Sequence, residues 1–145
     1  MTTDVEQALA DKVRELYAAF EQDGDAALER LAKLYAADMV FRDPLQTLHG
    51  RDAFMAMNRR ILGRAARLSF DVTDAVGARG SIFLSWTMVF EPRRGPRIVF
   101  AGATHLRVRD GLITEQRDYW DLLSSFAASV PVLRSLYASL APHLG

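Results

Sequence analysis

The chain contains no cysteine. That excludes a disulfide framework, a thiolate metal centre and a cysteine nucleophile, and it suits a reducing compartment. Neither sign of charge is in excess: 18 basic and 18 acidic side chains cancel, so no long-range field draws the protein to nucleic acid or to an anionic membrane. No apolar run approaches the roughly 20 residues needed to cross a bilayer. The opening MTTDVEQALADKV carries acids where a secretory signal needs a basic and then an apolar run. Histidine is scarce as well. His49, His105 and His143 fall in separate elements without ligand spacing, which leaves no metal site to expect. Glycine-rich phosphate loops and nucleophile elbows are missing too, so no cofactor is expected. These absences describe a soluble, cytoplasmic protein with no nucleic-acid or membrane partner.

What is present suffices for a core. With 145 residues, half of them apolar, the chain fits one domain spanning 1–145 without covalent staples. Arginines gather at 59, 60, 64 and 67 and again at 93, 94 and 97; spaced like this, they read as solvated helix and hairpin faces.

Helical spacing dominates the first third. Val5, Leu9, Val13, Leu16 and Phe20 recur every three or four residues, and Thr3 with Glu6 forms a capping box. Asp23-Gly24-Asp25 should end that helix and start a second through Leu28, Leu31, Leu34 and Tyr35. A short strand, Met39-Val40-Phe41, follows, then a loop to His49-Gly50 and a third helix with Phe54, Met57, Ile61 and Ala65 inward. After Arg67 the period falls to two. LSFDVTDAV, SIFLSWTMVFE, RIVFAGATHLRVR and LITEQRDYWDLL are strands separated by turns at Gly77–Gly80, Pro92–Pro96 and Asp110-Gly111. A helical tail with Leu133, Leu136, Tyr137 and Leu140 closes the chain. Helices followed by a meander imply an α+β fold, with N-terminal helices packed on a curved, mostly antiparallel sheet that encloses an apolar pocket.

Alternation assigns the faces. Ile82, Leu84, Trp86, Met88 and Phe90 share the inner face of their strand. Thr104 points inward and His105 outward. On the last strand Thr114, Gln116, Asp118 and Trp120 share a face, so an inward Trp120 brings Asp118 into an apolar enclosure, where an unpaired charge is costly. Asp43, between an apolar strand and Pro44, is either a turn residue or an acid aimed into that enclosure. Asp118 could instead pair with Arg42 or Arg117.

Taken together, LYAAFEQDGD, LYAADMVFRDP, HGRDAF and DGLITEQRDYWDL, in that order, resemble the nuclear transport factor 2-like superfamily, specifically its SnoaL-like and ketosteroid isomerase-like branch. The resemblance implies Asp43 as a proton-shuttling base, Tyr17 as the donor to an oxyanion and Trp120 as a pocket wall. It puts Thr104 where ketosteroid isomerases have a second acid, so half of their donor pair is altered here. Limonene epoxide hydrolases are also similar, and against them Asp118 matches a catalytic aspartate. Their Arg–Asp pair, however, falls near Trp86 and Met88.

The resulting expectation is a cofactor-independent enzyme that abstracts a proton from a small apolar carbonyl compound, steroid-like or polyketide-like, as an isomerase or cyclase. Asp43, Tyr17 and Asp118 are its catalytic residues. Trp120, Trp86, Met88, Leu84, Phe41 and Thr104 contact the substrate. A non-catalytic module that binds a small molecule or a protein, and an epoxide hydrolase, are the alternatives. An apolar outer sheet face bearing Phe83, Val89, Ala101 and Ala103 predicts a homodimer.

Overall fold

The computed structural model describes residues 2–121, with side chains from Val5 onward. Thr3 of the expected capping box and the expected helix over 130–145 lie outside the described side chains and residues. Helix α1 (Thr2–Ala32) leads into strand β1 (Tyr35–Arg42), followed by β2 (Thr47–His49), α2 (Arg51–Arg64), β3 (Ala65–Ala78), β4 (Ser81–Pro92), β5 (Ile98–Arg109) and β6 (Leu112–Trp120). The six strands form one sheet in the order β2-β1-β6-β5-β4-β3. The β1–β6 pair is parallel, and the remaining neighbours run antiparallel. This is the expected α+β arrangement, with helices on one face of a curved sheet.

The break expected at Asp23-Gly24-Asp25 is present: two helical segments meet within α1 at Gly24, whose φ of 34° and ψ of −107° break the helical path; no residue with a β-carbon takes that conformation readily. Three sequence expectations change. Tyr35 is not on a helix but opens β1, fully buried. Ala65 begins β3 rather than closing α2. The segment before Gly50 also pairs as a short strand, with His49 opposite Val40.

At its N-terminal end α1 is turned relative to the apolar stripe: Val5 is 60 % exposed and Glu6 is buried. The neighbouring β3–β4 turn explains the exchange. Glu6 Oε1 accepts from the Gly80 amide at 2.8 Å, Gln7 Oε1 from the Gly77 amide at 3.0 Å, and Gln7 Nε2 donates to Ala75 O at 3.1 Å. A register shift between Val72 and Asp74 ends the simple alternation of β3, which leaves Val76 exposed and Gly77 beneath the helix.

On β4 the inward face is as expected. Ile82, Leu84 and Trp86 are buried in the same core as Val13, Leu16, Tyr17 and Phe20 of α1, with Met88 and Phe90 packed against it. The arginine clusters lie on the surface, where Arg59 pairs with Glu29, Arg67 with Glu21 and Arg97 with Glu91. Such exposed pairs contribute little to stability.

Candidate active site

Between the inner face of the sheet, α1 and α2 lies a cavity of about 460 Å³, in the size range of small-molecule sites. Its walls are mostly aromatic and aliphatic. Phe20, Phe70 and Leu68 form one side, Phe41, Phe54 and Met57 another, and Trp86, Met88, Phe100 and Trp120 the sheet side. Phe70 meets the Trp86 ring edge-on at 5.6 Å, and Phe100 meets Trp120 at 5.2 Å. Trp86 has room to stand there because residue 102 is glycine. A β-carbon at Gly102 would lie 2.7 Å from the Trp86 ring and 2.6 Å from the Tyr119 carbonyl.

The polar residues of the lining are few: Tyr17, Asp43, Gln46, Asn58, Arg64, Thr104, Gln116 and Asp118. Four of them form a hydrogen-bonded cluster, Thr104, Gln116 and Asp118 on the sheet and Tyr17 on α1. Thr104 and Asp118 are direct partners across the β5–β6 ladder, and the Thr104 hydroxyl donates to Asp118 Oδ1 at 2.7 Å. The Trp86 indole N–H donates to Thr104 Oγ1 at 2.8 Å. Gln116, two residues before Asp118 and on the same face, donates through Nε2 to Asp118 Oδ1 at 3.1 Å and to the Tyr17 hydroxyl at 3.4 Å. The Tyr35 hydroxyl in turn donates to Gln116 Oε1.

Asp118 has no ion pair among the described residues; neither Arg42 nor Arg117 reaches it. Arg117 lies over the Tyr119 ring instead, at 5.0 Å. Burial therefore dominates and pushes the Asp118 carboxyl up to about 6, the bonds from Thr104 and Gln116 pull it down, and the charge of Asp43 adds a further upward push. Burial, followed by the charge of Asp118, holds the Tyr17 phenol far above its ordinary range, while the neighbouring polar side chains of Gln116, Thr104 and Tyr35 pull it down. The Tyr35 phenol is raised as well, by burial and then by Tyr17 and Asp118. Both tyrosines are thus neutral donors near pH 7.

Asp43 is half-buried and answers both sequence readings at once. It lines the cavity, yet its Oδ1 accepts from the amides of Leu45 and Gln46, at 2.8 and 3.0 Å, and so forms the turn after β1. Phe41, Trp86, Met88, Thr104 and Trp120 also line the cavity. Leu84 lies on the same face but is packed in the core, outside that lining. His105 points outward, stacked on Phe83 with ring centres 4.3 Å apart.

The structure thus brings Tyr17, Asp43 and Asp118 to one cavity and adds two residues that sequence reasoning passed over. Gln116 carried a signal, since alternation set it on the face of Asp118 and Trp120. Tyr35 was concealed by its assignment to a helix. The acid that the resemblance would put at residue 104 is found one strand across, at 118. Among the described residues no group of three or more His, Cys, Asp or Glu side chains is placed to hold a metal ion, and no helix is long and apolar enough to cross a membrane.

The family model for the SnoaL-like domain matches residues 13–116. No curated protein matches the chain. Among solved structures, a hypothetical protein with a ketosteroid isomerase-like fold from Catenulispora acidiphila, in complex with trimethylamine, is 25% identical, with a TM-score of 0.69 over 82% of this chain and 92% of that one. An LEH-like epoxide hydrolase from M. tuberculosis is 22% identical, with a TM-score of 0.69 over 97% and 98%. A SnoaL-like polyketide cyclase from Jannaschia, described as putative by its name, is 16% identical, with a TM-score of 0.72 over 86% and 93%.

Proposed function

The chain belongs to the SnoaL-like domain family, and within that family we propose that it is a cofactor-independent enzyme that removes a proton next to the carbonyl of a small, largely apolar ketone or enone. Asp118 is the base. Its free oxygen, Oδ2, takes the α-proton as the C–H electron pair moves into the carbonyl to give an enolate. Tyr17 donates its hydroxyl proton in a hydrogen bond to the carbonyl oxygen, which becomes the enolate oxygen. Return of the proton from Asp118 to another carbon isomerises the substrate. Attack of the enolate on a second carbonyl closes a ring.

One observation carries this reading: a carboxyl in an apolar cavity, bonded only to neutral groups and linked through Gln116 to a neutral tyrosine. A base pushed up to about 6 lies closer to working pH than an exposed aspartate and abstracts a carbon-bound proton more effectively. A preorganised tyrosine donor contributes on the order of 3 kcal/mol to the transition state. In this reading the base role that the resemblance assigns to Asp43 passes to Asp118. Asp43 holds the turn at the cavity wall and contributes its charge.

Deuterium uptake by a cyclic enone or a polyketide-like diketone, followed by NMR, tests the proposal. Tyr17→Phe should slow uptake by about 100-fold. Asp43→Asn retains an acceptor for both turn amides and should stay within about threefold of wild type. A rate unchanged by Tyr17→Phe would remove the oxyanion role, and a collapse in Asp43→Asn would return the base role to Asp43.

The outer face of the sheet supports a homodimer as the working form. Of the expected residues Phe83, at 55 % exposure, Ala101 and Ala103 stand out from it, Val89 is half-buried and its partner Val99 is exposed beside them, more apolar surface than a face left to water needs. Light scattering at tens of micromolar should give twice the 16.2 kDa chain mass; a monomer would contradict this.

A further inference from the structure

We infer that Gln116, held by Tyr35, is a positioning residue that fixes which atoms of Asp118 and Tyr17 face the ligand. This rests on the reading of those two side chains as the reacting groups.

The hydrogen bonds around Asp118 run in one direction. An indole nitrogen can only donate, so the Trp86 N–H directed at Thr104 Oγ1 leaves the threonine proton to go to Asp118 Oδ1. The second chain runs from the Tyr35 hydroxyl to Gln116 Oε1, and from Gln116 Nε2 to the same Asp118 Oδ1. Were the Gln116 amide turned over, its carbonyl oxygen would face a carboxylate oxygen at the 3.1 Å now bridged by a donor, and two acceptors would repel. Asp118 therefore selects the amide orientation, and the Tyr35 hydroxyl, able to donate or accept, donates to the oxygen presented to it.

Two consequences follow for the cavity. Both donors end on Oδ1, so Oδ2 is the oxygen left for a proton or a substrate. Gln116 Nε2 also reaches Tyr17, which takes part in that bond as the acceptor. The Tyr17 hydroxyl proton therefore stays available to a ligand instead of being spent on the protein. A leucine or methionine at 116 would fill the space but leave Tyr17 free to donate to Asp118, pairing the two reactive groups with each other. The amide keeps them apart.

The ionisable groups coupled to Asp118 are Tyr17 from α1, Tyr35 from β1 and Asp43 from the turn after β1; Arg64, the cation of the cavity lining, is not among them. None of them is cationic, so the neutral donors are what favours the carboxylate. Carboxyl-carbon NMR titration of Asp118 reads this directly and needs no substrate. Gln116→Met should raise the proton affinity of Asp118 by about tenfold, the contribution of one hydrogen bond to a charged group. Tyr35→Phe keeps the amide but releases its anchor and should give a smaller rise, a few-fold; it also serves if the methionine variant fails to fold. A purely structural role would lower the melting temperature and leave the titration in place. An Asp118 titration unmoved in both variants overturns the inference, whether or not the protein exchanges a ketone. A moved titration in a protein that exchanges none leaves the positioning role standing and overturns only the catalytic reading.

Discussion

Asp118→Asn should abolish proton exchange and at the same time make the protein more stable. The catalytic loss follows from chemistry: an amide cannot accept a carbon-bound proton, and a general base of this kind contributes about 100- to 10,000-fold to rate. The stability gain follows from burial. A carboxyl moved from 3.8 to about 6 by desolvation holds its proton more tightly in the native state than in the unfolded chain. Between those two values the native state binds the extra proton, so stability falls as pH rises through that window. The cost is absent below about pH 4 and complete above about pH 6. Its upper value is roughly 3 kcal/mol, reached only if cavity water screens nothing.

Asparagine carries no charge to bury, and its Oδ1 can accept the same two bonds from Thr104 and Gln116. Chemical denaturation at pH 8 should therefore show the variant more stable than wild type by as much as about 3 kcal/mol, with the two curves merging near pH 4. Wild-type kcat/KM should climb through about pH 6 to a plateau, since the base must be ionised. A variant less stable than wild type at pH 8 would mean that Asp118 is not strained by burial, and the raised base would be lost with it.

The residues that make this site differ in how openly the sequence shows them. Trp86, Met88, Thr104, Gln116, Asp118 and Trp120 sit in long strands whose alternation is undisturbed where it matters, so their inward direction could be read from parity alone. Tyr35 could not. LERLAKLYAAD has apolar residues at helical spacing right across the end of α1, and no proline or glycine marks the stop. The helix ends at Ala32, and the Leu34 amide bonds back to Leu31 O before β1 begins. Only the pairing of Tyr35 with Ile113 on β6 makes it a strand residue, and that contact is remote in sequence. The exposure of Val76 is hidden for a related reason, because the register shift in β3 reverses parity without leaving a mark in the composition. Asp43 was legible as ambiguous, and in the structure it is both turn-former and cavity wall.

Gly77→Ala should be the most damaging small change outside the cavity. Residue 77 lies directly beneath α1. A β-carbon there would sit 2.4 Å from the Glu6 carbonyl oxygen, 2.5 Å from its carbon and 2.8 Å from the Gln7 nitrogen. All three are backbone atoms, so no side-chain rotation relieves the clash, and helix and strand must separate by about an ångström. That movement is opposed by the bonds that tie the same two segments: Gln7 to the Gly77 amide, Gln7 to the Ala75 carbonyl and Glu6 to the Gly80 amide. Stretching them exposes buried polar groups to loss of their partners as well as loosening the core near Ala10 and Ile82. Overpacking of this kind costs about 1–3 kcal/mol, and each orphaned buried group adds about 1 kcal/mol or more. For a chain of this size the sum corresponds to a melting temperature lower by roughly 10 °C. Because α1 also carries Tyr17, a displaced helix should weaken ligand binding in the folded fraction. Calorimetry measures the first effect, and a fall of less than about 2 °C would show that α1 rides over the added methyl without breaking its ties to the β3–β4 turn.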